Sequence, residues 1–61
     1  MKIRVEIDHP DVIAILSSME PRDYYVMGTY NKGPVDIALV SIRNQEWCQW
    51  FEQKHPEWIL R

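Results

Sequence analysis

Between Lys2 and Asp8 the chain alternates strictly, with Ile3, Val5 and Ile7 on one side and Lys2, Arg4, Glu6 and Asp8 on the other. A period of two is that of a strand with one buried and one wet face, a pattern that suits the edge of a sheet. The period then changes. Val12, Ile15, Leu16 and Met19 recur at helical spacing, with Ile13 flanking them, which predicts an amphipathic helix. Pro10 fits its first turn, Asp8 or His9 can cap it, and Pro21 closes it soon after Ser17 and Ser18.

Two stretches rich in aromatic and β-branched residues follow, DYYVMGTY at 23–30 and VDIALVSI at 35–42, separated by NKGP. They predict a hairpin with a four-residue loop in which Gly33 supplies any positive backbone angle. Residues 37–40 are apolar on both faces, so 35–42 reads as the central strand. The last element is a helix capped by Asn44, with Trp47, Trp50, Phe51 and Lys54 on one side and Gln49, Glu52 and Gln53 on the other. Pro56 stops it, and the EWILR that follows is too short to classify.

The order is therefore strand, helix, strand, strand, helix. A right-handed crossover through the first helix, with the return arm of the hairpin between its neighbours, predicts a small two-layer α+β domain over residues 1–61. Its sheet is three-stranded and mixed, of order 1-3-2, with both helices on one face.

Two helices cover only one side of such a sheet. Depending on register, the other side carries either Tyr24, Val26 and Tyr30 with Ala38 and Val40 of the central strand, or Tyr25 and Met27 with their partners. Either set is a larger apolar and aromatic patch than a small monomer normally exposes, and tyrosine and tryptophan are enriched in protein interfaces. The candidate protein-binding residues are accordingly Tyr24, Val26, Tyr30, Ala38, Val40 and Trp58. A purely structural account competes: hairpin tyrosines pair across strands and shield the backbone. For Trp47, Trp50 and Phe51 the structural account is the stronger, since so short a chain needs its largest side chains inside. Trp58, beyond the helix stop, is either a lid folded back on the core or an anchor for a partner.

Length sharpens this picture. A chain of 61 residues buries only about 60% of its unfolded surface, and the single cysteine, Cys48, rules out an intrachain disulfide. Association with a protein partner or a second copy would supplement so marginal a core. Seven Lys and Arg against nine Asp and Glu give a net charge of -2, too balanced for a protein that works mainly by neutralising phosphates unless its charges are segregated on opposite faces. Nucleic-acid binding is thus the alternative, with Lys2, Arg4, Arg22, Lys32 and Arg43 as cations and Tyr24, Tyr25 and Tyr30 stacking on unpaired bases. No run approaches membrane-spanning length and the N-terminal alternation is unlike a signal peptide, so a cytoplasmic location is expected, with a free Cys48 in keeping.

Candidate chemistry is sparse. His9 has Asp8 and Asp11 nearby, at a helix start that needs capping groups. Cys48 and His55 are two helical turns apart, about 10 Å of rise, too far for direct activation of a thiolate. One cysteine and two distant histidines have no zinc-ligand spacing, and no Gly-rich phosphate cradle or nucleophile motif occurs. The expectation is a non-catalytic regulator, inhibitor or accessory subunit, of the size class that bacterial viruses also encode, acting through an aromatic and apolar surface without cofactor, metal or small-molecule substrate.

Overall fold

The computed structural model describes residues 1–61, whose elements run β1 (Lys2–Glu6), α1 (Pro10–Ser18), a 3-10 turn (Pro21–Asp23), β2 (Tyr24–Lys32), β3 (Val35–Ile42), α2 (Gln45–Lys54) and a second 3-10 turn (Pro56–Trp58). The strands form one sheet of order β1-β3-β2. Both ladders to the central β3 are antiparallel, so β1 and β2 point the same way across it. A crossover through α1 carries the chain over β3's place, and the hairpin then fills the gap. The result is the expected two-layer β-α-β-β-α domain with a helix layer on one face.

Local chemistry sets the element ends. The side chain of His9, not Asp8, caps α1, its Nδ1 accepting a 3.1 Å hydrogen bond from the Asp11 amide. Asn44 caps α2, its Oδ1 accepting from the amides of Glu46 at 2.8 Å and Trp47 at 3.4 Å. Its Nδ2 donates to Asp23 Oδ1 at 3.2 Å, which ties the start of α2 to the turn before β2. The hairpin is tighter than NKGP suggested. Lys32 pairs with Val35, which leaves a two-residue loop of Gly33 and Pro34. Gly33 has φ +65 and is the only residue with positive φ, as a type II′ hairpin turn requires at its first position.

Register assigns the faces. Ile3 opposes Val40 and Val5 opposes Ala38, and these four point into the helix layer with Ile42. They meet Val12 and Met19 from around α1 and Phe51 from α2 in a single cluster. Phe51 and Val40 are 0% exposed, and only nine of the 61 residues are buried, so each core side chain carries a large share of the stability. Trp47 and Trp50 flank Phe51 with ring centroids 6.2 and 5.2 Å away, the inward role their spacing predicted.

The terminal residues close the outer edge of β1. Ile59 forms an antiparallel bridge with Ile3, and the Leu60 amide donates to the Lys2 carbonyl at 2.9 Å. The outer edge of β2 has no such cover.

Candidate functional site

A bulge in β2 decides which side chains reach the surface. Tyr24 and Val26 oppose Ile42 and Val40, but the register shifts between Val26 and Gly28, so that Gly28 opposes Leu39 and Tyr30 opposes Ile37. Met27 is the extra residue. An unbroken strand would place Tyr25 and Tyr30 on opposite faces; the inserted residue inverts the alternation and puts both on the face turned away from the helices. Gly28, with no side chain to pack, follows the bulge directly.

The predicted binding residues are thereby divided. Ala38 and Val40, at 5% and 0% exposure, lie under the helices and offer no surface. The physical reason is the register: β3 turns its even-numbered side chains from Ala38 to Ile42 toward the helix layer. Tyr24 is half-buried on that same side and packs against the core. Val26 shares the side yet stays 43% exposed, while Tyr30, 42% exposed, stands on the open face. Trp58 is half-buried and acts as a lid, stacked on His55 at 3.8 Å with 5° between the rings and 6.2 Å from Phe51. Of the predicted set only Val26 and Tyr30 are exposed, and they stand on different faces.

Two surfaces result. On the helix side, α1 stands away from β2 and leaves a groove of about 340 Å³ whose walls include Ile7, Ile13, Leu16, Val26 and Thr29. Ile7, Ile13 and Val26 are each more than a third exposed, and no charged residue lines the groove. Ile7, Ile13 and Leu16 were not among the predicted binding residues. Ile13 carries the one sequence signal that could have found it: an apolar residue beside, not on, the stripe that buries Val12.

The reverse face is of different character. Its middle column is Val35, Ile37, Leu39 and Ser41 of β3, flanked on one side by Lys2, Arg4 and Glu6 of β1 and on the other by Tyr25, Tyr30 and Lys32 of β2. The terminal 3-10 turn and tail do not seal it. Ile37 is nevertheless only 8% exposed, flanked in register by Glu6 and Tyr30. Arg43, just past the end of β3, lies over the Tyr25 ring at 5.3 Å.

The titratable groups singled out above have structural partners. His9 is the α1 cap, and Cys48 Sγ lies 3.7 Å from the Ile42 carbonyl. His55 Nδ1 is 3.3 Å from Glu57 Oε1. The Glu57 carboxyl is held below the usual carboxylate range, first by a hydrogen bond with its own backbone and then by His55. No three His, Cys, Asp or Glu side chains stand together as a metal site would need. No helix is long and apolar enough to cross a membrane. Comparison with protein-family models, with curated proteins and with solved structures gave no match, so the surfaces themselves carry the functional argument.

Proposed function

We propose that this chain is a non-catalytic binding domain that docks on a protein partner through the groove between α1 and β2 and acts by covering part of that partner's surface, as a regulator, inhibitor or accessory subunit does. The observation that carries the reading is the meeting of Ile7, Ile13 and Val26, all partly exposed, along one groove without a charged wall. Apolar side chains from non-adjacent elements that converge at a surface mark protein contacts more often than scattered exposed residues do. The partner chemistry this favours is an apolar ridge, such as one face of an amphipathic helix, from another protein or from a second copy of the chain. Association would also relieve the small size of the core.

The test is a double substitution, Ile13→Glu with Val26→Thr, which keeps local helix and strand propensity while removing the apolar walls. Sedimentation equilibrium of the parent chain over a wide concentration range separates self-association from a monomer. If the parent self-associates, the variant should be monomeric. If the parent is monomeric, a photocrosslinking side chain at position 13 should capture one defined protein from the native cell extract, and the Val26→Thr change should reduce the yield. A monomer that crosslinks to nothing would defeat the proposal.

A further inference from the structure

The charges of this acidic chain are not mixed evenly over its surface. By register, Lys2, Arg4 and Lys32 point to the open face, and Arg43 joins them over Tyr25. Of the nine acidic residues, Glu6 alone holds a strand position on that face. Asp36 pairs with Asn31 on the helix side, accepting a 3.0 Å hydrogen bond from its Nδ2. Asp23, beside Arg43, has both carboxylate oxygens occupied, one by Asn44 Nδ2 and the other by the Glu20 amide. The one ion pair of an arginine or lysine is Arg22 with Glu20, so none of the four cations on the open face is paired. The acidic net charge hides a local field of the opposite sign, and within a Debye length of about 8 to 10 Å the local field is what a ligand meets.

Two further features lie on the same face. Tyr25 and Tyr30 are 55% and 42% exposed, brought together there by the bulge. Their β3 partners, Ser41 and Ile37, are four residues apart, which spaces their strand positions by about 13 Å at ~3.3 Å per residue. A depression of about 420 Å³ beside Tyr30, which Tyr25 does not reach, is lined by Arg4, Glu6, Lys32, Val35 and Ile37 of this face together with His9, Val12 and Trp58.

We propose that this open face binds single-stranded nucleic acid, with Tyr25 and Tyr30 as stacking platforms for unpaired bases and Lys2, Arg4, Lys32 and Arg43 as phosphate contacts. The inference goes beyond the groove on the helix side and does not depend on it. Exposed aromatic faces on a sheet suit bases that are free to unstack, whereas a duplex keeps its bases stacked inside and is read by elements that enter a groove. An acidic protein surface would meet the same cations, but protein interfaces centre on a desolvated apolar core, and here the central Ile37 is already buried.

Fluorescence anisotropy with labelled fifteen-nucleotide oligo(dT) and oligo(U), and with a fifteen-base-pair duplex, tests the proposal. The parent chain should bind both single strands saturably and more tightly than the duplex, with log affinity falling against log salt at a slope of about -2 to -3 for three to four phosphate contacts. Tyr25→Ala with Tyr30→Ala should weaken binding roughly ten-fold or more at nearly unchanged slope. Arg4→Gln with Lys32→Gln should lower both the affinity and the slope, by about half of the latter. The groove variant Ile13→Glu with Val26→Thr should bind like the parent, which separates failure of this site from failure of the groove. Circular dichroism checks folding; should the double tyrosine variant not fold, Tyr30→Leu, which keeps the bulk and removes the aromatic face, replaces it. Flat curves at low salt would overturn the proposal, as would equal affinity for duplex or indifference to the tyrosine changes. Binding of polyglutamate in place of the oligonucleotides, sensitive to Arg4 and Lys32, would assign the face to an acidic polypeptide instead.

Discussion

Gly28 and Gly33 sit five residues apart on the same hairpin and are held there by different constraints. Gly33 needs positive φ, a region in which a Cβ crowds the backbone, so Gly33→Ala should destabilise by about 1 kcal/mol. Gly28 has negative or extended φ, and a Cβ built there meets nothing within 4 Å. Gly28→Ala should therefore be neutral or stabilise by up to about 1 kcal/mol, because alanine loses less backbone entropy in a strand. Urea unfolding of the two variants measures the pair, and the opposite signs are the expected outcome. Phe51 is the residue on which most depends: it is fully buried, and cutting it to alanine costs about 3 to 5 kcal/mol in comparable cores. A domain of this size has a total of about 3 to 9 kcal/mol, so Phe51→Ala should broaden or abolish the cooperative unfolding transition. The core role of Phe51 could be read from its spacing alone, because a residue that must be buried somewhere leaves few choices in a short helix. Trp58 could not be read that way, since its burial depends on where His55 and Phe51 stand in space.

At the scale of elements, both α-helices begin on side-chain caps that the sequence offered, yet His9 displaced Asp8 and Asn44 proved to do two jobs. Asn44→Ala removes the α2 cap and the link to Asp23 together. The loss should be about 1 to 2 kcal/mol, at the upper end for a cap, whereas Asn44→Ser, which keeps a capping oxygen, should recover part of it; chemical denaturation resolves the difference. The terminal 3-10 turn offers a pH readout. Ionised Glu57 is favoured in the folded chain, so its contribution is present above the ordinary carboxylate range and is lost as pH falls through its own lowered value. Carboxyl NMR titration should find Glu57 titrating below the exposed glutamates, and His55→Ala should move it part of the way back, since the hydrogen bond with its own backbone is the larger cause. Element identity was legible in the sequence because strand and helix periods and caps are local. The hairpin loop was misjudged by two residues because Asn31 and Lys32 are polar enough to pass for a turn, while pairing with Asp36 and Val35 makes them strand.

For the whole molecule, the helix layer and the sheet do not match in coverage. The helices bury β1 and the middle of β3 but leave Val26 open, and the terminal tail covers only the edge of β1. The two proposed surfaces, one apolar and one cationic and aromatic, consequently belong to opposite faces and to chemically different partners. A ternary measurement follows: if both operate, adding oligonucleotide should not displace a protein partner held in the groove, and size-exclusion chromatography should show the two bound together. Competition between them would mean that both ligands use one face.

The amino-acid sequence by itself determined the number and order of the strands and α-helices, the central position of residues 35–42 and the inward turn of Phe51 and its tryptophans, because each follows from spacing over a few residues or from a strand with apolar side chains on both faces. Only the tertiary structure decided which sides of β2 and β3 are open. One inserted residue in β2 inverts every later side chain, so Tyr25 and Tyr30 came to share a face that strict alternation forbids. The charge partition was hidden for the same reason: a net charge sums over the chain, whereas the field at a surface depends on which residues the register turns toward it.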